Sequence, residues 1–429
     1  MNKIFIRKEV YGMLVFSPTE NCFYQIMNDE LKQAIEDFVL TNNINEKFKE
    51  DFNKLNFGKY PIKVVDNTRF GNEKFIAIET YFDYTAKCNQ NCEYCYNKKF
   101  LKDKTISQEN VRKILKDFYD LGIARVHLAG GEPTIDYEGL KNYVEYTNEL
   151  GLKLSMATNG TILTDRICEL LTSNNLISVS ISLDSADETV NDSYRGKGNF
   201  KRVLDGLERL KKYKQKNNSD VKICFKPVYY PNITDNEIKD LIEFAIEKEV
   251  DIIKFANPER SDAHNLNYFS EIKESYYDCL KRIANISKNY KDKICITQVT
   301  NPANYDLDIG VDINHGCIGA QELITINPDG RITPCLMNHT YLGNYFDYKN
   351  LEEFYMTSQE LDSYRKLISN ESCKGCRLQR SCRGGCQVRK IANYGKIQDV
   401  DPLCPINVVE RNVEISAKNI KKINVYHSL

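Results

Sequence analysis

The chain carries almost no net charge: Lys and Arg total 59 against 60 Asp and Glu. Such a balance gives neither nucleic acid nor an anionic membrane a long-range hold, so neither is expected as a partner. No run of eighteen apolar residues occurs, so no membrane-crossing helix is expected. The opening stretch MNKIFIRKEVYG lacks the long apolar core of a secretion signal, and a cytoplasmic location is the expectation. There is no internal repeat and no low-complexity segment.

Cysteine, by contrast, is abundant, with fifteen in 429 residues. In a reducing compartment disulfides are not expected, and clustered cysteines read as metal ligands. Ten fall in two groups, at 88 to 95 and at 317 to 404. Cys22, Cys168, Cys224, Cys279 and Cys295 are scattered, and all but Cys295 read as small buried hydrophobes.

The length allows two or three domains with real cores. Residues 1–75 read as a small separate unit. YGMLVFSPTENCFYQI predicts two strands around a turn, and NDELKQAIEDFVL a helix capped by Asn28 with Leu31, Ile35, Phe38 and Val39 on its apolar face. The polar stretch after it reads as including a linking segment. Residues 76–300 alternate strand and helix. The strand candidates are FIAIETYF, RVHLAG, KLSMAT, SVSISLD, KICFKPVY and DIIKFA. Alternation implies parallel strands with right-handed crossovers. The expected fold is thus α/β, a partial (β/α)6 TIM-type barrel whose chemistry gathers at the C-terminal strand ends. Residues 301–429 lose the alternation. ELITINPDGRITPC predicts a hairpin turning at Asn327 to Gly330, a dense cysteine field follows, and the last residues read as a short polar helix and tail.

CNQNCEYC places Cys88, Cys92 and Cys95 at C-x3-C-x2-C. A structural zinc site wants four closed ligands. Three thiolates on a four-iron cluster leave one iron open to a small molecule. The spacing, with aromatic Tyr94 before the last cysteine, resembles the radical S-adenosylmethionine (SAM) family. AGGEP (Ala129 to Pro133), TNG (Thr158 to Gly160), SISLDS (Ser180 to Ser185) and DSYRGKGNF follow in that family's order. The resemblance implies a SAM-binding cluster on the three cysteines. It also implies SAM contacts from Tyr94, Gly130, Gly131, Glu132, Pro133, Thr158, Asn159, Ser182, Asp184 and Arg195. The two glycines would let backbone approach the cofactor. Glu132 would orient its loop or accept from the SAM ammonium, and Arg195 would pair with the SAM carboxylate. A helix cap competes for Thr158 and Asn159, a strand end for Asp184, and a plain surface role for Arg195.

Cys317, Gly330, Cys335, Cys373, Cys376, Cys382, Cys386 and Cys404 match the spacing of the SPASM extension of that family. The resemblance implies two auxiliary four-iron clusters: Cys373, Cys376, Cys382 and Cys404 on the outer, and Cys317, Cys335 and Cys386 on the inner. The cofactors implied are SAM and three [4Fe-4S] clusters. The inner cluster's fourth ligand stays open between Cys295, His315 and a vacant iron.

The function implied is that of a radical SAM peptide maturase. It would crosslink a ribosomally made precursor peptide, thioether first and carbon–carbon second, with residues 1–75 meeting the leader as an added strand. An outside donor such as flavodoxin or ferredoxin would supply electrons. A sulfatase-maturing enzyme is the same-class alternative, and a non-catalytic iron–sulfur electron carrier the alternative of another class.

Overall fold

The computed structural model describes residues 2–17, 22–71, 74–92, 95–97, 103–228, 233–256, 282–298, 317–368, 373, 376, 382–397, 401, 404 and 425–427. Its first sheet begins with β1 (Ile4–Glu9), β2 (Gly12–Phe16), β3 (Cys22–Ile26) and β4 (Ile62–Asp66). β2 pairs antiparallel with β1 and β3, and β4 runs parallel to β1. Side-chain alternation sorts this sheet between two cores. Ile4, Ile6, Met13 and Val15 pack on the helix Asp29–Thr41, whereas Phe5, Leu14, Phe16 and Phe23 join the main core. Asn28 caps the helix as expected, accepting from Leu31 N at 2.9 Å. Val39, expected inside, is 39% exposed.

The polar stretch read as including a link contains a short packed helix, Lys49–Lys54. Phe38, Phe52 and Phe57 form a mutual aromatic triad with centroids 5.1–5.3 Å apart, and that triad closes the small core. Phe48, Phe52 and Leu55 do stand at helical spacing, but the high charge of the segment made it read as a link.

The second sheet holds the parallel run β5 (Glu79–Phe82), β6 (Arg125–Leu128), β7 (Lys153–Thr158), β8 (Leu176–Ile181), β9 (Lys222–Phe225), β10 (Ile252–Phe255) and β11 (Cys295–Gln298). The fold is α/β with this parallel sheet, and each of the six expected strands is present. The seventh, β11, was not expected. The first is shorter than FIAIETYF suggests, since regular pairing begins only at Glu79. Helices such as Gln108–Leu121, Tyr137–Leu150 and Asp235–Glu247 cover one face. Their apolar stripes supply Ile114, Phe118, Leu140, Leu241 and Ile242 to the main core.

The C-terminal hairpin continues the same sheet. β12 (Leu323–Ile326) lies parallel to β5, and β13 (Arg331–Thr333) and β14 (Gly343–Asn344) follow antiparallel. The turn forms at Asn327 to Gly330 as expected, with Gly330 at φ +81°. Three tail residues, β15 (Val425–His427), pair with β3. They form a strand within the expected tail, and the short helix expected before them lies outside the described residues.

Arg7 fastens the two sheets. Fully buried, it reaches Glu9 at 2.6 Å and donates to the carbonyls of Ala77 (2.6 Å) and Ile76 (2.9 Å), just before β5. Removing one member of a buried pair strands the other charge. Arg7→Met therefore lowers stability by about 3–5 kcal/mol, read from the urea midpoint. A loss within experimental error would show that the contact fastens nothing.

Candidate active site

The cysteine loop leaves the C-terminal end of β5 and docks on the loop after β6. Glu132 N donates to Lys87 O at 2.7 Å, and Gly131 N to Thr85 O at 3.1 Å. A Cβ on Gly131 would lie 2.1 Å from Lys87 O, so only glycine lets the two backbones meet. Gly130 sits at φ +80°, and a Cβ there would strike Asp83 at 2.8 Å. The close approach these glycines permit is thus to the cysteine loop and to Asp83. Burial pushes the Asp83 carboxyl up to about 7, against a hydrogen bond from Ala129 N.

Glu132 is buried under four donors. Oε1 accepts from Thr134 N (3.0 Å), Thr134 Oγ1 (2.5 Å) and Thr158 Oγ1 (2.7 Å); Oε2 accepts from Asn159 N at 2.6 Å. Burial raises its pKa and these bonds oppose the shift. Of the two roles expected for Glu132, orienting the loop is the one these contacts make. Pro133 opens the short 3-10 turn that follows, buried with its carbonyl accepting from Tyr84 Oη at 2.7 Å.

Thr158 and Asn159 are not helix caps, because the next helix, Asp165–Ser173, is preceded by Thr164. Asn159 instead donates to Asn89 Oδ1 at 2.7 Å, tying the loop after β7 to the cysteine loop. Ser182 follows β8, its N–H on Thr158 O at 2.9 Å. Asp184 receives the Arg195 fork at 2.7 and 2.8 Å and Val228 N at 3.0 Å. Arg195 is therefore no surface arginine: it is 8% exposed, and its partner here is Asp184. Tyr94 lies outside the described residues.

The three thiols of the loop share one field. Burial pushes the Cys88 thiol up to about 11, and Glu132, Cys92 and Cys95 add to the rise. Burial also raises Cys92, which Arg195 opposes from close by. The C-terminal thiols fall into two neighbourhoods. Burial holds the Tyr364 hydroxyl well above its usual range, and Cys317, Cys335 and Cys386 each add to that. Burial pushes Cys382 up to about 12, aided by Asp401, Cys404 and Cys373. Cys376 acts on Cys373. Thus Cys317, Cys335 and Cys386 act together on Tyr364, and Asp401 acts on Cys382 and Cys373 with Cys404 on its own turn and Cys376 beside Cys373. Asp401 is held by Arg389 at 2.7 Å and reaches Cys386 N at 2.5 Å over Gly385, where a Cβ would meet it at 2.3 Å. Lys390, fully buried, feels Cys373, Cys317 and Cys386 and so stands between the two groups. Burial holds the Tyr96 hydroxyl well above its usual range, and Asp83, Cys95 and Cys335 add to the rise.

Cys295 is elsewhere. It opens β11 opposite Ile252, at the N-terminal end of the strands, and its neighbours are Lys254 and Cys224. His315 lies outside the described residues. Sequence reasoning missed Tyr96, Tyr364, Arg389, Lys390 and Asp401. A usable signal existed for the last three, which lie beside Cys386 or in DPLC.

Among the described residues the ten clustered cysteines, Cys88 to Cys95 and Cys317 to Cys404, are free thiols, all partly buried. Thiolates in such sets suit iron–sulfur clusters. The loop after β6 and the Asp184–Arg195 pair border the first set. The residues present fit the clusters and SAM.

Comparison with known proteins agrees. Residues 83–245 match the radical SAM superfamily model, and residues 317–377 the SPASM iron–sulfur cluster-binding domain. A PqqA peptide cyclase of Bradyrhizobium diazoefficiens is 23% identical over 354 residues, 79% of this chain and 88% of that one. An AdoMet-dependent heme synthase of Methanosarcina barkeri is 24% identical over 345 residues, 75% of this chain and 95% of that one. The crystal structure of Streptococcus suis SuiB bound to precursor peptide SuiA superposes with a TM-score of 0.69 at 20% identity. It covers 94% of this chain and 100% of that one. No described helix is long and apolar enough to cross a membrane.

The bracing role of Glu132 is testable. Glu132→Gln puts an amide against donors, leaving at least one buried N–H unmatched, and costs about 2–3 kcal/mol in urea unfolding. Thr158→Val removes one donor and costs about 1 kcal/mol. Wild-type stability in Glu132→Gln would contradict the geometry.

Proposed function

We propose that this radical SAM enzyme, with its SPASM extension, matures a ribosomally made peptide by installing an intramolecular crosslink, a thioether in preference to a carbon–carbon bond. The observation that carries the reading is the partition of ten cysteines into a three at the barrel mouth, a second three at Tyr364 and a four at Asp401. That partition supports three [4Fe-4S] clusters, on Cys88, Cys92 and Cys95; on Cys317, Cys335 and Cys386; and on Cys373, Cys376, Cys382 and Cys404. Bound together, SAM and the first cluster supply a carbon radical able to take an unactivated hydrogen from a substrate.

The chain's own residues provide position. Gly131 and Glu132 seat the cysteine loop, Asn159 locks it to the next strand end, and Asp184 fixes Arg195 beside Cys92. In this proposal Gly130, Pro133, Thr158 and Ser182 complete the SAM pocket. Lys390 adds a positive charge between the auxiliary groups, which raises the potential of whatever cluster it faces.

Two observations support a peptide and a thioether. A relative of similar span is a peptide cyclase. The three thiols at Tyr364 have Cys295 far from them, which favours an inner cluster with an iron left for a substrate thiolate; bound there, the sulfur is deprotonated and held near the radical. Residues 1–75 form the unit that meets the leader, residues 76–300 the barrel, and residues 301–429 the auxiliary-cluster region. In support, β4 is the uncovered edge of its sheet among the described residues, and Val39 and Leu40 lie exposed beside it.

Anaerobic co-expression with a short cysteine-containing peptide, taken from beside this gene where one is encoded there, tests the reading. Mass spectrometry should show loss of two hydrogen atoms and one fewer alkylatable thiol. Product formed by the Cys88/Cys92/Cys95→Ala variant would refute it. For the inner cluster, Cys295→Ala should retain roughly twelve irons per chain after reconstitution. A fall to about eight would make Cys295 its ligand and remove the case for sulfur capture.

A further inference from the structure

One histidine joins the loop that carries Cys95 to the loop that carries Cys335. Cys335 opens a tight turn after β13. Asn338 N donates to Cys335 O at 3.2 Å, and the two residues bridge as a short antiparallel pair. Asn338 is buried and fixes this turn from inside. Its Nδ2 donates to Tyr364 Oη at 2.9 Å, the tyrosine on which Cys317, Cys335 and Cys386 act. Its Oδ1 accepts from Thr340 N at 3.0 Å. With both neighbours held, His339 has little choice of direction, and its Nε2 meets Tyr96 O at 3.3 Å. A carbonyl only accepts, so Nε2 carries a proton and donates. Burial lowers the His339 pKa, so the donor is a neutral ring.

The carbonyl that His339 grips is next to a thiol. Tyr96 follows Cys95, whose N–H donates to Cys92 O at 3.3 Å, so the grip falls on the turn that carries two of the first three thiols. Asn97 Nδ2 extends the contact to Gly130 O at 3.5 Å, on the loop after β6. The pairing of β12 with β5 fixes the register of the strands beneath. Cys95 and Cys335, however, both stand beyond the ends of their strands, where the sheet no longer sets the distance between them. The His339 contact spans that gap between residues 243 apart in the chain. Where two reacting groups must meet, a displacement of about 1 Å can cost about a hundredfold in rate.

We propose that His339 is a positioning residue: through Tyr96 O it locks the loop of Cys335 to the loop of Cys92 and Cys95, and so sets the span across which a sulfur held at the inner cluster meets the radical formed beside the first. This rests on the peptide-maturase reading. A role in packing alone would be met by any side chain of similar bulk, whereas the lock needs a donor at the place of Nε2.

Electron paramagnetic resonance of reduced, reconstituted, SAM-free enzyme reads the span without a peptide, because the magnetic interaction of two reduced clusters weakens steeply with their separation. Wild-type enzyme should show spin–spin broadening that disappears in Cys88/Cys92/Cys95→Ala, which assigns it to the first cluster and its neighbour. His339→Gln, whose amide donates from nearly the place of Nε2, should keep it. His339→Phe should lose it while retaining roughly twelve irons per chain. His339→Met, equally without a donor, carries the comparison if His339→Phe does not fold. In co-expression with the cysteine-containing peptide, the donorless variants should give about tenfold less crosslink per 5'-deoxyadenosine than wild type. Wild-type broadening in the donorless variants overturns the lock, as does an equal loss in His339→Gln or the absence of broadening in wild type. A wild-type enzyme that shows the broadening and its loss in His339→Phe, yet cleaves SAM and crosslinks no peptide, refutes instead the maturase reading on which the purpose of the lock depends.

Discussion

One buried carboxylate organises the mouth of this barrel. Glu132 gathers donors from its own turn and from the loop after β7, while its backbone N–H receives the cysteine loop through Lys87 O. Three strand ends are thereby held in one arrangement by a side chain with no freedom left. Burying a carboxylate is costly, and here four hydrogen bonds offset that cost. The result is rigidity where it matters. The thiols of Cys88, Cys92 and Cys95 hang from a loop whose first residues are clamped, and Arg195 is aimed by Asp184. A site that must confine a radical needs fixed walls more than it needs reactive side chains.

The same economy appears in the C-terminal region. Asp401 holds Arg389 and the Cys386 backbone, and Gly385 gives it room. One carboxylate thus joins the turn that carries Cys404 to the start of the helix Gln387–Tyr394, where Cys386 stands. The continuity of β12 with β5 places this assembly directly beside the barrel mouth. The hairpin after β12 is therefore an extension of the catalytic sheet.

Much of this was legible in the sequence because the signals were local. The cysteine spacings, the AGGEP and TNG stretches and the strand–helix alternation each fit within a dozen residues. The hairpin at Asn327 to Gly330 was legible for the same reason, since turn chemistry is local. What escaped depended on long-range packing. Strand β11 is four residues following a stretch with no clear period. Strand β1 reads as mixed because both of its faces are buried, so Arg7 sits in the main core where a polar face would be expected. The contact of Gly131 with Lys87 O was not legible, because no local pattern reports which backbones meet. Nor was the pairing of Arg195 with Asp184, eleven residues apart in the chain.

The central claim is that the Cys88, Cys92 and Cys95 thiols hold the cluster that meets SAM, while the other seven thiols hold clusters that do not. Electron paramagnetic resonance of the reduced, reconstituted enzyme tests it most directly, recorded with and without SAM, for wild type and for Cys88/Cys92/Cys95→Ala. The account predicts that SAM changes one component of the wild-type spectrum, that this component is missing from the variant, and that the remaining signals do not respond to SAM. A SAM-induced change of the same kind in the variant would contradict it.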